Sequence, residues 1–70
     1  MNSIDRKKEL LISLSNGKVC HGIMNLNFAI SHFSEDYPEA ETTITIYEIS
    51  SEGRYTKLCE RKDGEWIDFY

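Results

Sequence analysis

Thr42-Thr43-Ile44-Thr45-Ile46-Tyr47-Glu48-Ile49 is a run dense in β-branched and aromatic side chains, closed by turn formers at Ser50, Ser51 and Gly53. It reads as the strand on which the other elements assemble. Ser51-Glu52-Gly53 forms a three-residue hairpin loop with Gly53 in the left-handed position. Pairing across it sets Ile49 against Tyr55, Tyr47 against Lys57, Ile46 against Leu58 and Thr45 against Cys59. The next turn signal, Asp63-Gly64, sets Arg61 against Trp66, Glu60 against Ile67, Cys59 against Asp68 and Leu58 against Phe69. The two registers are independent and agree. They predict one face of Ile44, Ile46, Leu58, Ile67 and Phe69, and a second of Thr45, Tyr47, Ile49, Tyr55, Lys57, Cys59, Arg61, Trp66, Asp68 and Tyr70.

Working toward the N-terminus, Asn25 is an N-cap residue type, and Leu26, Ala29, Ile30, Phe33 and Tyr37 fall at helical spacing on one stripe. Pro38 restricts Tyr37 and ends that helix. Phe28 lies off the stripe, four residues before His32. Before the helix, Glu9 to Leu14 and Val19 to Ile23 flank Asn16-Gly17, the signal for a β-hairpin with a two-residue turn. That turn pairs Leu14 with Val19, Ile12 with His21 and Leu10 with Ile23, placing Val19, His21 and Ile23 on the helix side. A helix over residues 3–15 capped by Gly17 is the competing pattern, because Ile4, Leu11 and Leu14 also share helical spacing. The predicted fold is α+β: one antiparallel sheet with one helix on one face, in the order β-β-α-β-β-β. Residues 1–8 form a polar, basic lead-in, and residues 9–70 a single domain.

Bulk properties bound the function. Seventy residues make one domain that buries about 60% of its unfolded surface, too little for a deep enzyme pocket. No catalytic, phosphate-cradling or cofactor motif is present, and the expectation is a protein that is not an enzyme. Cys20, His21, His32 and Cys59 are the soft ligand candidates. They lack the close pairs of a zinc site, and adjacent Cys20 and His21 point to opposite faces of a strand. Two cysteines are too few for a disulfide scaffold and read as free thiols. No apolar run approaches the roughly 20 residues of a membrane span, and no leader pattern is seen, so a cytoplasmic setting is expected.

The net charge of −4 is uneven. Up to Ser34, Arg6, Lys7, Lys8 and Lys18 outnumber Asp5 and Glu9; from Glu35 onward acidic residues predominate. This balance disfavours nucleic acid, whose phosphates supply most of such affinity, and suits a partner with a basic surface.

Two surfaces stand out. The second sheet face carries Tyr47, Tyr55, Trp66 and Tyr70 among Lys57 and Arg61, the residue types that anchor protein interfaces. The segment 34–41 places Glu35, Asp36, Glu39 and Glu41 around the helix C-terminus, where anions oppose the dipole. The function expected is a small acidic interaction module, of inhibitor or accessory type, binding a larger protein through the aromatic face, an edge strand or the acidic segment. In size and charge it resembles accessory proteins of phages and mobile elements, a likeness that no motif carries. A homo-oligomeric structural subunit and a single-stranded nucleic-acid binder are the alternatives.

Overall fold

The computed structural model describes residues 6–69. The elements are β1 (Lys8–Leu14), β2 (Val19–Met24), α1 (Leu26–Asp36), β3 (Ile44–Ile49), β4 (Tyr55–Lys62) and β5 (Glu65–Asp68). One five-stranded sheet runs in the order β2-β1-β3-β4-β5 with every neighbouring pair antiparallel. The expected α+β fold and element order are present, with β3 central. β1 is a strand, not part of a helix, and it begins at Lys8, the last residue of the expected lead-in. Residues 1–5 of that lead-in, and Tyr70, lie outside the described residues. No helix among the described residues is long and apolar enough to cross a membrane.

The core sits between the sheet and α1. Leu10, Ile12 and Leu14 of β1 and Ile44 and Ile46 of β3 meet Leu26, Ala29 and Phe33 of α1, and Ile30, Tyr37, Cys20, Met24 and Trp66 pack around them. α1 thus buries the predicted stripe. Asn25 occupies the N-cap with extended backbone, but its side chain makes no capping bond. Pro38 forces Tyr37 out of helical geometry (φ −130°, ψ 72°), and the Tyr37 N–H still closes the last turn on Phe33 O at 3.0 Å. β2 and β3 are both antiparallel to β1 and so run parallel, and α1 is the connection that carries the chain past β1.

Two registers depart from expectation. In the first hairpin Ser13 pairs with Val19, Ile12 with Cys20, Leu11 with His21 and Leu10 with Gly22. The loop has three residues, Ser15, Asn16 and Gly17. Leu14 N–H donates to Lys18 O (2.9 Å), Gly17 N–H donates to Leu14 O (3.0 Å), and Gly17 alone takes positive φ (+96°). The Ser50–Arg54 loop repeats this pattern, with Gly53 at φ +85°. Ser15 cannot pair with Lys18 because β3 claims it. Ser15 N–H donates to Thr43 O, and Ser15 Oγ accepts Thr43 N–H, both at 2.9 Å. Asn16 Oδ1 takes the Lys18 N–H instead. A one-residue slip turns every side chain of β2 over. Val19, His21 and Ile23 therefore face away from the helix, and Cys20, Gly22 and Met24 face it.

The second departure is a β-bulge. β3 and β4 pair Ile49 with Tyr55 and Tyr47 with Lys57 as expected, but Ile46 then pairs with Cys59 and Thr45 with Glu60, leaving Leu58 as the extra residue. Leu58 and Cys59 are consecutive and both buried. Beyond the bulge the expected β4–β5 register holds, as does the Asp63-Gly64 turn with positive φ at both residues (53° and 83°). All of it is inverted relative to the sheet. Cys59, Arg61, Trp66 and Asp68 face α1, and Ile67 and Phe69 face outward.

Candidate functional site

The sheet face opposite α1 is uncovered. Alternation places on it Val19, His21 and Ile23 of β2, Glu9, Leu11 and Ser13 of β1, and Thr45, Tyr47 and Ile49 of β3. Tyr55, Lys57, Glu60 and Lys62 of β4 and Glu65 and Ile67 of β5 complete it, with Phe69 just beyond. Six large hydrophobic residues are exposed among those described, and five of them, Val19, Ile23, Tyr55, Ile67 and Phe69, lie here at 45–73% exposure. Leu11, Tyr47 and Ile49 are half-buried between them. Apolar side chains thus come from every strand of the sheet.

Local contacts order this face and balance its charges. Tyr47 and Tyr55 meet edge to face, with centroids 6.3 Å apart. Lys57 Nζ lies 5.0 Å from the centroid of the Phe69 ring and 4.0 Å from Glu60 Oε1. Thr45 Oγ1 donates to Glu60 Oε2 at 3.1 Å. On the far side the His21 ring Nε2 donates to Glu9 Oε2 at 2.8 Å. Lys57, Glu60, Glu9 and His21 thus each have a polar partner within the face, and the rest of it is largely apolar.

Of the sequence-predicted partner residues, Tyr47, Tyr55 and Lys57 are on this face. Arg61 and Trp66 are not, because the bulge turns them toward α1. Trp66 packs on the core and donates its indole N–H to Ser34 Oγ of α1 at 3.1 Å. Arg61 is buried, and its Nη2 donates to Glu39 O and Thr42 O, both at 2.9 Å. The two side chains fasten the end of α1 and the following loop to the sheet. Val19, Leu11, Ile23, Ile67 and Phe69 are the surface residues missed by sequence reasoning. For Ile67 and Phe69 a signal existed: Leu58-Cys59 is the only adjacent apolar pair in β4, and such a pair marks a change of phase.

The acidic segment is a separate surface. Glu35, Asp36, Glu39 and Glu41 are exposed at the end of α1 and in the loop after it, on the helix side of the sheet. Asp36 Oδ2 lies 3.2 Å from Nε2 of His32, one turn earlier. Phe28, off the buried stripe, stacks its ring on that of His32, with centroids 5.6 Å apart. The buried Arg61 guanidinium lies under this loop and is held by its backbone carbonyls, those of Glu39 and Thr42.

The thiols and imidazoles do not converge. Cys20 is half-buried on the helix side and His21 faces the opposite way. Both cysteines are free, and Cys59 is fully buried beside Asp68. Burial, reinforced by the Asp68 carboxylate, pushes the Cys59 thiol up to about 12. Among the described residues no cluster of three or more His, Cys, Asp or Glu side chains is placed to hold a metal ion. The chain matches no protein-family model, no curated protein and no solved structure.

Proposed function

We propose that this protein is a non-enzymatic interaction module whose uncovered sheet face docks onto a larger protein. The observation that carries this reading is the concentration of exposed large apolar residues on one face: Val19, Ile23, Tyr55, Ile67 and Phe69, drawn from both edges and the interior of the sheet. Contiguous apolar surface of this kind marks interaction sites on soluble domains, whereas singly scattered exposed residues carry no such meaning. Tyr47 and Tyr55 supply rigid aromatic anchors, and Lys57 supplies a polar rim.

Charge supports a protein partner over nucleic acid. With Arg61 turned inward, the lysines of this face are Lys57 and Lys62, set against Glu9, Glu60 and Glu65, and a phosphate backbone needs a basic excess. The test is a photoreactive phenylalanine analogue placed at position 55 or 67, with position 41 in the acidic loop as control. Irradiation in an extract of cells expressing the chain is expected to trap one larger protein from positions 55 and 67 and not from 41. Equal trapping from all three, or none, would overturn the reading. A product at twice the chain's own mass would instead assign the face to a homodimer.

A further inference from the structure

The two edges of the sheet are not alike. β5 is four residues long, carries Glu65 and Asp68, and is the kind of short, charged edge that resists further pairing. β2 is six residues long, Val-Cys-His-Gly-Ile-Met, with no Lys, Arg, Asp, Glu or Pro in it. Hydrogen-bond alternation fixes which of its backbone groups point outward. Leu14 N–H donates to Lys18 O, so the bonded pairs two residues apart are Ile12 with Cys20, Leu10 with Gly22 and Lys8 with Met24. The Ser15 N–H bond to Thr43 O, on the other side of β1, has the matching phase. The N–H and C=O groups of Val19, His21 and Ile23 are therefore aimed away from β1, at the open edge. Where β2 ends, a pocket is lined by Lys7, Ile23, Met24, Asn25 and Phe28, with Phe28 57% exposed.

We infer that the β2 edge accepts an extended segment of a partner protein as a sixth strand. The three outward N–H and C=O pairs supply the ladder. The pocket beside Phe28 takes an apolar side chain, and Lys7 at that end and Lys18 at the other each offer a cation to a carboxylate of the segment. Strand addition draws affinity from the backbone and specificity from such pockets. Charge selects the occupant. No acidic residue occurs between Glu9 and Glu35, and Glu9 itself is hydrogen-bonded to His21. A second copy pairing antiparallel about His21 would set Lys18 of each protomer against the pocket end of the other, where Lys7 sits, so like charges oppose self-pairing. A foreign segment carrying Asp or Glu meets no such repulsion.

This inference names a second contact for the interaction module proposed above, and its test is independent of the open face. The full chain is presented to a displayed library of random peptides about nine residues long, enough to span β2. Enriched peptides are expected to alternate apolar residues and to carry Asp or Glu. His21→Pro removes an outward donor at an edge position that tolerates proline, and is expected to weaken a synthetic winner by about tenfold, with Phe28→Ala weakening it by about threefold. Amide exchange at Val19, His21 and Ile23 is expected to slow in the complex. Folding of each variant is checked by its far-ultraviolet spectrum, and Tyr55→Ser, which alters only the open face, is expected to leave peptide binding unchanged. Absence of enrichment, or a winner indifferent to both His21→Pro and Phe28→Ala, would overturn the inference. So would a concentration-dependent dimer abolished by His21→Pro, which would give the edge to a second copy.

Discussion

Trp66 of β5 donates its indole N–H to Ser34 Oγ of α1, 3.1 Å away, and this bond places the ring on the core side of the sheet. Trp66→Ser therefore removes packing as well as a hydrogen bond and is expected to cost about 3 kcal/mol. Tyr55→Ser, on the uncovered face, is expected to cost under about 1 kcal/mol, the scale of a cross-strand aromatic pair. Urea unfolding of the two variants checks the contrast. Equal costs would place both rings on the same face.

Arg61 is expected to be a stability residue. Arg61→Ala takes the guanidinium donor from the Thr42 carbonyl, removes one of the two donors to Glu39 O and opens space under the loop, at an expected cost of about 2–4 kcal/mol. The Thr42 N–H, which donates to Glu39 O at 3.1 Å, should exchange faster with solvent as the loop loosens. Chemical denaturation and amide exchange measure the two effects; an unchanged midpoint would contradict the structural role.

Cys59 is expected to resist alkylation in the native state, where it is fully buried, while half-buried Cys20 reacts. Mass spectrometry after iodoacetamide treatment, with and without denaturant, reads this directly. The raised thiol also has a pH consequence. Below the ordinary value of 9.0 the thiol is neutral whether folded or unfolded; above it the unfolded chain releases the proton and the folded chain holds it up to about 12. Stability should fall with rising pH across that window, by at most about 1.4 kcal/mol per pH unit from this group. Cys59→Ala should lower the baseline stability and remove that part of the alkaline slope.

The first hairpin is expected to depend on Ser15. Ser15→Ala deletes the hydroxyl that accepts Thr43 N–H, at a cost of about 1 kcal/mol. Gly17→Ala places a side chain at φ +96°, with an expected cost of about 1 kcal/mol or more. Asn16, whose φ is not positive, should tolerate residues that a two-residue turn would reject there. Thermal melts of these variants separate the three-residue loop from the two-residue one.

The physical content of the misreadings is specific. Apolar spacing made α1, its stripe and its end at Pro38 legible, because those signals are local to one turn of helix. The last two turns were legible as well, since Gly53 and Asp63-Gly64 carry their own backbone preferences. The face of each strand was not legible from alternation alone. Leu10, Ile12 and Leu14 are buried under either hairpin register, so their burial cannot decide whether Val19 or Cys20 joins them. The phase of β4 changes at Leu58, and with it the fates of Arg61, Trp66, Ile67 and Phe69. Trp66 and Arg61 went to the core side for that reason, and Ile67 and Phe69 came out in their place.

By itself the sequence determined the elements, their order, the last two turns and the α+β class, because each rests on interactions between residues close along the chain. Only the tertiary structure decided the strand order, the loop length at Ser15 and the bulge at Leu58. Those depend on contacts between distant segments: Ser15 with Thr43, Ile46 with Cys59, and Arg61 with the loop after α1. In a sheet of period two, a single unpaired residue exchanges inside for outside. The surface offered to a partner is therefore set by where that residue falls.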